Sequence, residues 1–308
     1  MEQLPDALQP LLRQLDEALS LETKFQPNIQ LPHNALDGSE VTIGIRDGSA
    51  HVLRCLKMWY DLPSDVLFIA ANLMDRFLTK MKVRPKHMAC ISVACFQLGC
   101  RVVVQAEPTD VLAISQCKCT TGDLMRMQEV ISSKLATPAL TSIVTPGVFL
   151  RLFHALLSAV DVDQVYSRCV GEAELCQKLE VITCDGSCSN FRACEVALVL
   201  VCSQLDTGVA ALPETPPVAS VIAVVSFAQQ LQQLCQISDS NFYACHAAVL
   251  HILARYNAEV QTPHRQRLVW KVSQRTLRRL RPTDRLVTTL PTIDEHGQLH
   301  LPPKNSQE

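Results

Sequence analysis

The chain has 308 residues with a formal net charge of −2, and 48% of the residues are hydrophobic while 19% are charged. This composition is typical of a globular chain that forms a hydrophobic core, and it excludes disordered and coiled-coil proteins. Only 10 residues are glycine, which disfavours folds that depend on glycine-rich phosphate loops. At roughly 150 residues per domain, the length predicts about two domains.

The 14 cysteines admit a disulfide framework, a metal module or a core of buried thiols. The sequence has neither a stretch of about 18 apolar residues nor a secretory signal, so we expect an intracellular, reducing compartment and free thiols. Structural zinc sites favour two short-spaced cysteine pairs. That spacing is absent from both candidate groups, which are Cys117 with Cys119, and Cys184, Cys188, Cys194 and Cys202. We therefore expect thiols that pack as small apolar side chains, and no metal site.

The first part of the chain predicts one separate helix and then a series of short helices. Leucines spaced three and four residues apart predict an amphipathic helix over residues 7–25, and residues 26–44 have the composition of a linker. Proline or capping residues begin the next helices, which we predict over residues 46–60, 62–80, 84–101, 107–115 and 120–135. Residues 101–104 and 140–144 are weak strand candidates.

A second series of helices begins after Thr145, which precedes a proline suited to the first helical position. Apolar periodicity predicts helices over residues 146–160, 164–181, 190–205, 217–236 and 238–256. Two successive sets of five helices predict an all-α protein with two tandem five-helix folds. The predicted organisation is an N-terminal helix and linker (1–44), a first five-helix fold (45–136), a second one (145–257) and a basic extension with an irregular tail (258–308).

The sequence lacks the motifs of common enzyme active sites. It has no GxGxxG or GxxxxGK[ST] phosphate loop, no HExxH motif and no GxSxG motif. His154, His246 and His251 fall on helical patterns, where a packed or exposed histidine is the ordinary case. We therefore predict a protein that is not an enzyme and that uses no catalytic residue, cofactor or metal.

One charged residue stands out within an apolar helical segment. Asp75 belongs to the stretch IAANLMDRFL, and an unpaired buried carboxylate is energetically expensive. Arg46, at the start of the preceding predicted helix, is a plausible partner. The alternative is a pair between Asp75 and Arg76 on a solvated helix face.

Residues 45–101, which include MDRFLTKMKVRPKH, and the following ISQCKCTTGDLMRMQEVISSKL resemble the cyclin box. The segments DRFL and LMRM together make this resemblance specific. More narrowly, the chain resembles the G-type cyclins (the cyclin G/I group) over residues 8–295. The segments that indicate this group are KMKVRPKH, ISQCKCT, LVWKVSQRT and LPTIDE. Cyclins have two five-helix folds in tandem, in agreement with the helices predicted above.

The resemblance implies a regulatory protein that binds a cyclin-dependent kinase through the first cyclin box and modulates cell-cycle progression. Arg101 stands where most cyclins have a kinase-contacting lysine, and Gln128 stands where they have its companion glutamate. Arg46 and Asp75 match a buried ion pair of the family. In place of the usual hydrophobic substrate-docking patch, this chain has Ile45, Arg46, Asp47, Gly48, Ser49 and Val52.

The resemblance also allows a different class of function. G-type cyclins are associated with the B′ regulatory subunits of protein phosphatase 2A, so the alternative is an adaptor that recruits such a subunit in growth arrest or stress response. Because an arginine and a glutamine replace the lysine and glutamate of the family, both functions stay open.

Positive charge is concentrated near the end of the chain. Residues 264–285 hold eight Lys or Arg and one acid, a net charge of +7. The basic cluster, Arg275, Arg278, Arg279 and Arg281, could serve nuclear import or bind an acidic partner. The alternative is a solvated helix face, since leucines interleave with the arginines. We expect a protein of the nucleus and cytoplasm that binds no membrane. We expect no nucleic-acid binding either, because the rest of the chain is net negative and would oppose a phosphate backbone.

Overall fold

The structure is a computed structural model that describes residues 8–34, 38–105, 110–136, 143–261, 292–293 and 299–300. The chain divides into two compact units, Met1–Ala254 and Arg255–Glu308. Helices make up nearly all the described secondary structure, which confirms the predicted all-α class. Within the second unit, Thr292–Ile293 pairs with Leu299–His300 as a short antiparallel ladder.

The first half of the larger unit consists of one leading helix and a set of helices packed around a central one. The elements are α1 (Gln9–Phe25), α2 (Ile43–Trp59), α3 (Ser64–Lys80), a 3₁₀ turn (Pro85–His87), α4 (Met88–Val103), α5 (Val111–Ile114) and α6 (Thr121–Leu135). Every residue of α4 from Ile91 to Cys100 is buried, so α4 is the central helix. The predicted strand at residues 101–104 is wrong, because α4 continues through Val103 and Val104 is its C-terminal cap.

Close packing of α4 on α3 depends on a glycine. A Cβ atom placed on Gly99 would lie 2.9 Å from the backbone carbonyl oxygen of Val66. Backbone cannot move aside as a flexible side chain can, so any larger residue would push the two helices apart.

The second half contains the helices α7 (Pro146–Val160), α8 (Val165–Cys169), α9 (Glu172–Thr183), α10 (Ala193–Ala211), α11 (Val218–Leu234) and α12 (Asp239–Gln261). The helix predicted over residues 164–181 is therefore wrong as a single element. The chain leaves the helical conformation at Val170 (φ −129°, ψ 107°) and Gly171 (φ −98°, ψ 132°) before α9 begins. The division into two tandem five-helix folds stays a prediction.

The most apolar long helix of the described residues is a core helix. By length and hydropathy α10 could cross a membrane, but 67% of its apolar window is buried inside the fold. Its apolar character is accounted for by packing within the second half.

Helix α1 is attached to the second half by a buried carboxylate. Glu22 is 2% exposed, and it accepts hydrogen bonds from Arg192 Nη2 at 2.6 Å and from the backbone N–H of Cys194 at 2.8 Å. The N–H of Cys194 is in the first turn of α10, where backbone donors lack helical partners and favour an anion. Glu22 therefore joins α1 to α10.

A second buried carboxylate joins the two halves. Glu180 of α9 accepts from Lys57 Nζ at 2.7 Å and Arg54 Nε at 3.2 Å, both on α2, and from Ser64 Oγ of α3 at 2.7 Å. Burial alone would raise the pKa of Glu180, but these three donors outweigh it and lower that pKa below its ordinary value. Glu180 is therefore a charged link between the first and second halves.

Candidate functional site

The structure brings Arg46 and Asp75 together as a bidentate ion pair. Thr42 caps α2 by accepting from the N–H of Ile45, which places Arg46 in the first turn, facing α3. Arg46 Nε donates to Asp75 Oδ1 at 2.9 Å, and Nη2 donates to Oδ2 at 2.6 Å. The side chains are 2% and 5% exposed. Burial would lower the pKa of Arg46, but the carboxylate of Asp75 more than offsets this, so the net pKa is raised.

The ion pair continues into the second half through Asp47. Arg46 Nη1 contacts Asp47 Oδ1 at 3.2 Å, and the backbone N–H of Gly186 donates to the same oxygen at 2.8 Å. Burial raises the pKa of Asp47, while Arg46 and Gly186 act in the opposite direction. Arg46 and Asp47 thus connect the start of α2 to α3 and to the backbone of Gly186, at positions where the resemblance would place a substrate-docking patch.

The alternative partner of Asp75 has a different role. Arg76 is 8% exposed, and its guanidinium lies over the ring of Phe25 at 5.0 Å from the centroid, as in a cation–π contact. Asp75 is paired with Arg46, and Arg76 helps to hold α1 against α3.

Arg101 and Gln128 also lie together, at the contact between α4 and α6. Arg101 Nη2 donates to Gln128 Oε1 at 2.6 Å. Gln128 Nε2 in turn donates to Gln97 Oε1 at 2.6 Å. Arg101 is exposed, whereas Gln128 is 4% and Gln97 8% exposed.

Gln97 was not singled out from the sequence. Its signal was an amide side chain within ISVACFQLGC, an otherwise apolar run in which the side chain would need a partner. The partner lies on α6, 31 residues away, so local sequence patterns could not predict the pairing.

Helix α6, which carries Gln128, also presents exposed apolar and charged side chains. Helix α6 begins with a capping box, in which Thr120 accepts from the N–H of Asp123 and the Asp123 carboxylate accepts from the N–H of Thr120. Further along α6, Met125 is 57% and Val130 42% exposed, and Glu129 is exposed as well.

The cysteines of the candidate zinc groups are thiols in the structure. The Sγ atoms of Cys117 and Cys119 lie 3.2 Å apart, and burial raises the pKa of Cys117 to about 11. Burial likewise raises the pKa of Cys184, Cys188 and Cys202 to about 12. Within the ranges that the structure describes, no group of three His, Cys, Asp or Glu side chains has the geometry of a metal site.

The three histidines of the helical patterns lie in the second half. His154 Nδ1 is 2.9 Å from the hydroxyl of Tyr166, and burial lowers the pKa of His154. His246 stacks on the ring of Phe242, and His251 is exposed. Arg275, Arg278, Arg279 and Arg281, the predicted basic cluster, lie outside the described residues.

Comparison with known proteins gives concordant results. Residues 16–137 match the family described as cyclin, N-terminal domain. The chain is 42% identical to Cyclin G of Drosophila melanogaster over 94% of this chain and 52% of that protein. It is 30% identical to Cyclin-G2 of Homo sapiens, covering 93% of this chain and 82% of that protein. The chain thus spans about half the length of the Drosophila relative.

Among solved structures, the fold is similar to that of a viral cyclin from Herpesvirus saimiri. The TM-score is 0.52 and the sequence identity 16%, and the match covers 81% of this chain and 99% of the viral chain. At this identity the similarity concerns the fold.

Proposed function

Because the chain belongs to the cyclin G family of regulatory, non-enzymatic proteins, we propose that it binds a cyclin-dependent kinase through its first cyclin box. Binding of this kind would reposition kinase elements that must be in place before phosphoryl transfer. The chain itself would contribute a rigid helical surface and no catalytic group. Through the bound kinase it would modulate cell-cycle progression.

The observation that supports this proposal is the pairing of Arg101 with Gln128. Two residues 27 apart in sequence, at the two positions that the cyclin resemblance assigns to kinase contact, are joined by a 2.6 Å hydrogen bond. Arg101 is exposed at the C-terminal end of α4. An arginine can donate to backbone carbonyls or carboxylates of a partner, although its planar fork is not equivalent to a lysine ammonium.

Affinity purification of the full chain from cells, followed by identification of the bound proteins, tests this proposal. We expect a cyclin-dependent kinase with the wild type and its loss with Arg101→Glu. Arg84→Glu is the matched control, because Arg84 is also exposed but precedes the N-terminal end of α4, whereas Arg101 is near its C-terminal end. Equal kinase recovery with Arg101→Glu and the control would contradict the proposed contact.

The second candidate function is an adaptor that recruits a B′ subunit of protein phosphatase 2A in growth arrest or stress response. The observation in its favour is that Gln128 lacks the negative charge expected for a kinase contact and is only 4% exposed. The same purification separates the two functions, because phosphatase subunits recovered without any kinase would favour the adaptor.

We also propose that the protein distributes between nucleus and cytoplasm, with the basic cluster as the import signal. This proposal rests on the sequence of Arg275, Arg278, Arg279 and Arg281. Replacing all four arginines by alanine should reduce the nuclear fraction of a fluorescent fusion. An unchanged distribution would contradict the role in import.

A further inference from the structure

The hydrogen bonds around Arg101 form a chain that runs from the surface into the interior. Arg101 at the surface donates to Gln128, and Gln128 donates to Gln97 on α4, with 2.6 Å between the heavy atoms at each step. Both glutamines are more than nine-tenths buried. Two buried amides in an apolar interface are costly unless each polar atom has a partner.

The direction of this chain follows from the donor and acceptor groups available. A guanidinium carries only donors, so Gln128 must turn its oxygen toward Arg101. Its NH₂ group then points the other way and requires an acceptor, which the oxygen of Gln97 provides. The orientation of the Gln128 amide is therefore fixed from both ends.

We propose that Gln97 and Gln128 are positioning residues, which hold the Arg101 guanidinium in one orientation for the partner that it contacts. Gln97 is linked to Arg101 through Gln128. The predicted effect on kinase affinity rests on the proposed kinase-binding function. The order of the Arg101 guanidinium can be measured in the free protein.

A purely structural role for Gln97 predicts different behaviour. If the amide only fills space, then methionine, which is similar in length and apolar, should replace it without loss. If Gln97 is needed as an acceptor, glutamate should replace it in this contact, at a cost in stability from burying a carboxylate, and methionine should not, because a thioether is a weak acceptor. A space-filling role therefore predicts that Gln97→Met is tolerated, whereas an acceptor role predicts that Gln97→Glu is tolerated and Gln97→Met is not.

The experiment compares full-length wild type, Gln97→Met and Gln97→Glu in two measurements. The first is ¹⁵N relaxation of the Arg101 Nε–H in the free protein, and the second is affinity for a panel of purified cyclin-dependent kinases. The matched control is Gln204→Met, which replaces another buried glutamine (7% exposed) that accepts from Lys178 in the second half. Thermal unfolding confirms that each variant is folded.

We expect the Arg101 order parameter to fall below about 0.6 in Gln97→Met and to stay near the wild-type value in Gln97→Glu and the control. Kinase affinity should fall about tenfold in Gln97→Met alone, because a disordered Arg101 guanidinium would lose about one hydrogen bond to its partner. An Arg101 side chain that is already mobile in the wild type, or equally ordered in all variants, would overturn the proposal. If no kinase binds the wild type, the kinase function fails, and the order parameters still decide the positioning role.

Discussion

Replacing Asp75 by asparagine removes the negative charge that faces Arg46 while keeping the side-chain volume. The carboxylate accepts two hydrogen bonds from the guanidinium, at 2.9 and 2.6 Å. An asparagine has one oxygen, and its NH₂ group would face an arginine donor. The variant therefore leaves a buried positive charge with a poorly matched partner.

The magnitude follows from the burial of the pair. Removing one partner of a buried ion pair costs about 3–5 kcal/mol of unfolding free energy. Arg46 keeps its 3.2 Å contact with Asp47, whose side chain is 25% exposed, so we expect the lower end, about 3 kcal/mol. For a unit of this size, that corresponds to a decrease of about 6–12 °C in Tm.

Urea and thermal unfolding of the full chain measure this effect, and the fold contains a matched control. Asp65 also makes a bidentate pair, with Arg151 at 2.8 and 3.1 Å, but the side chains of Arg151 and Asp65 are 39% and 28% exposed. Asp65→Asn should therefore cost at most about 1 kcal/mol. If Asp75→Asn leaves Tm unchanged, or lowers it no more than Asp65→Asn does, the reasoning from burial is wrong.

Four further predictions concern stability and binding. Glu180→Gln should lower the unfolding free energy by about 2 kcal/mol. This is less than the cost of breaking a fully buried ion pair, because the arginine and lysine partners of Glu180 are 19% and 18% exposed. Gly99→Ala should cost about 1–3 kcal/mol through the 2.9 Å clash with a backbone oxygen, whereas Gly122→Ala, with no atom closer than 3.9 Å, should be neutral or slightly stabilising. The capping hydrogen bonds lower the pKa of Asp123 to about 2, so the stability it contributes should be present above its unfolded pKa of 3.8 and disappear as the pH falls toward 2. Gln128→Glu should strengthen binding to a recovered kinase severalfold, since its carboxylate would form a charge-assisted hydrogen bond with the Arg101 guanidinium while the amide of Gln97 turns its NH₂ group toward it.

Each of these predictions has a contrary result. Equal urea midpoints for Glu180→Gln and wild type would show that the link between the halves adds no net stability. Equal Tm values for the two glycine variants would show that α3 and α4 can separate at no cost. A Tm difference between wild type and Asp123→Asn that persists unchanged at pH 2 would contradict the capping role. Unchanged or weaker binding by Gln128→Glu would show that a negative charge beside Arg101 does not assist the kinase contact.

The features accessible from the sequence were those set by local pattern. The pairing of Asp75 with Arg46 could be anticipated because a carboxylate in an apolar helix demands a partner, and α2 offered an arginine at its start. The capping box of α6 was visible as Thr120 and Asp123, three residues apart. Short-range spacing and charge balance suffice for such cases.

The features missed depend on which distant residues meet in space. Glu180 lies in a polar helix whose sequence indicates a solvated face, yet it is 3% exposed because α2 and α3 cover it. The break between α8 and α9 falls within continuous helical periodicity. At the break, Val170 and Gly171 have extended backbone dihedrals. At the start of α8, Asp161 accepts hydrogen bonds from the N–H groups of Tyr166 and Ser167.

Hydrogen–deuterium exchange of the full chain, alone and bound to a cyclin-dependent kinase recovered by affinity purification, tests the proposed function most directly. Binding through the first cyclin box predicts new protection at the C-terminal end of Met88–Val103 and along Thr121–Leu135, and none along Val218–Leu234. Protection confined to the second half, or a wild-type chain that binds no kinase, would contradict the account.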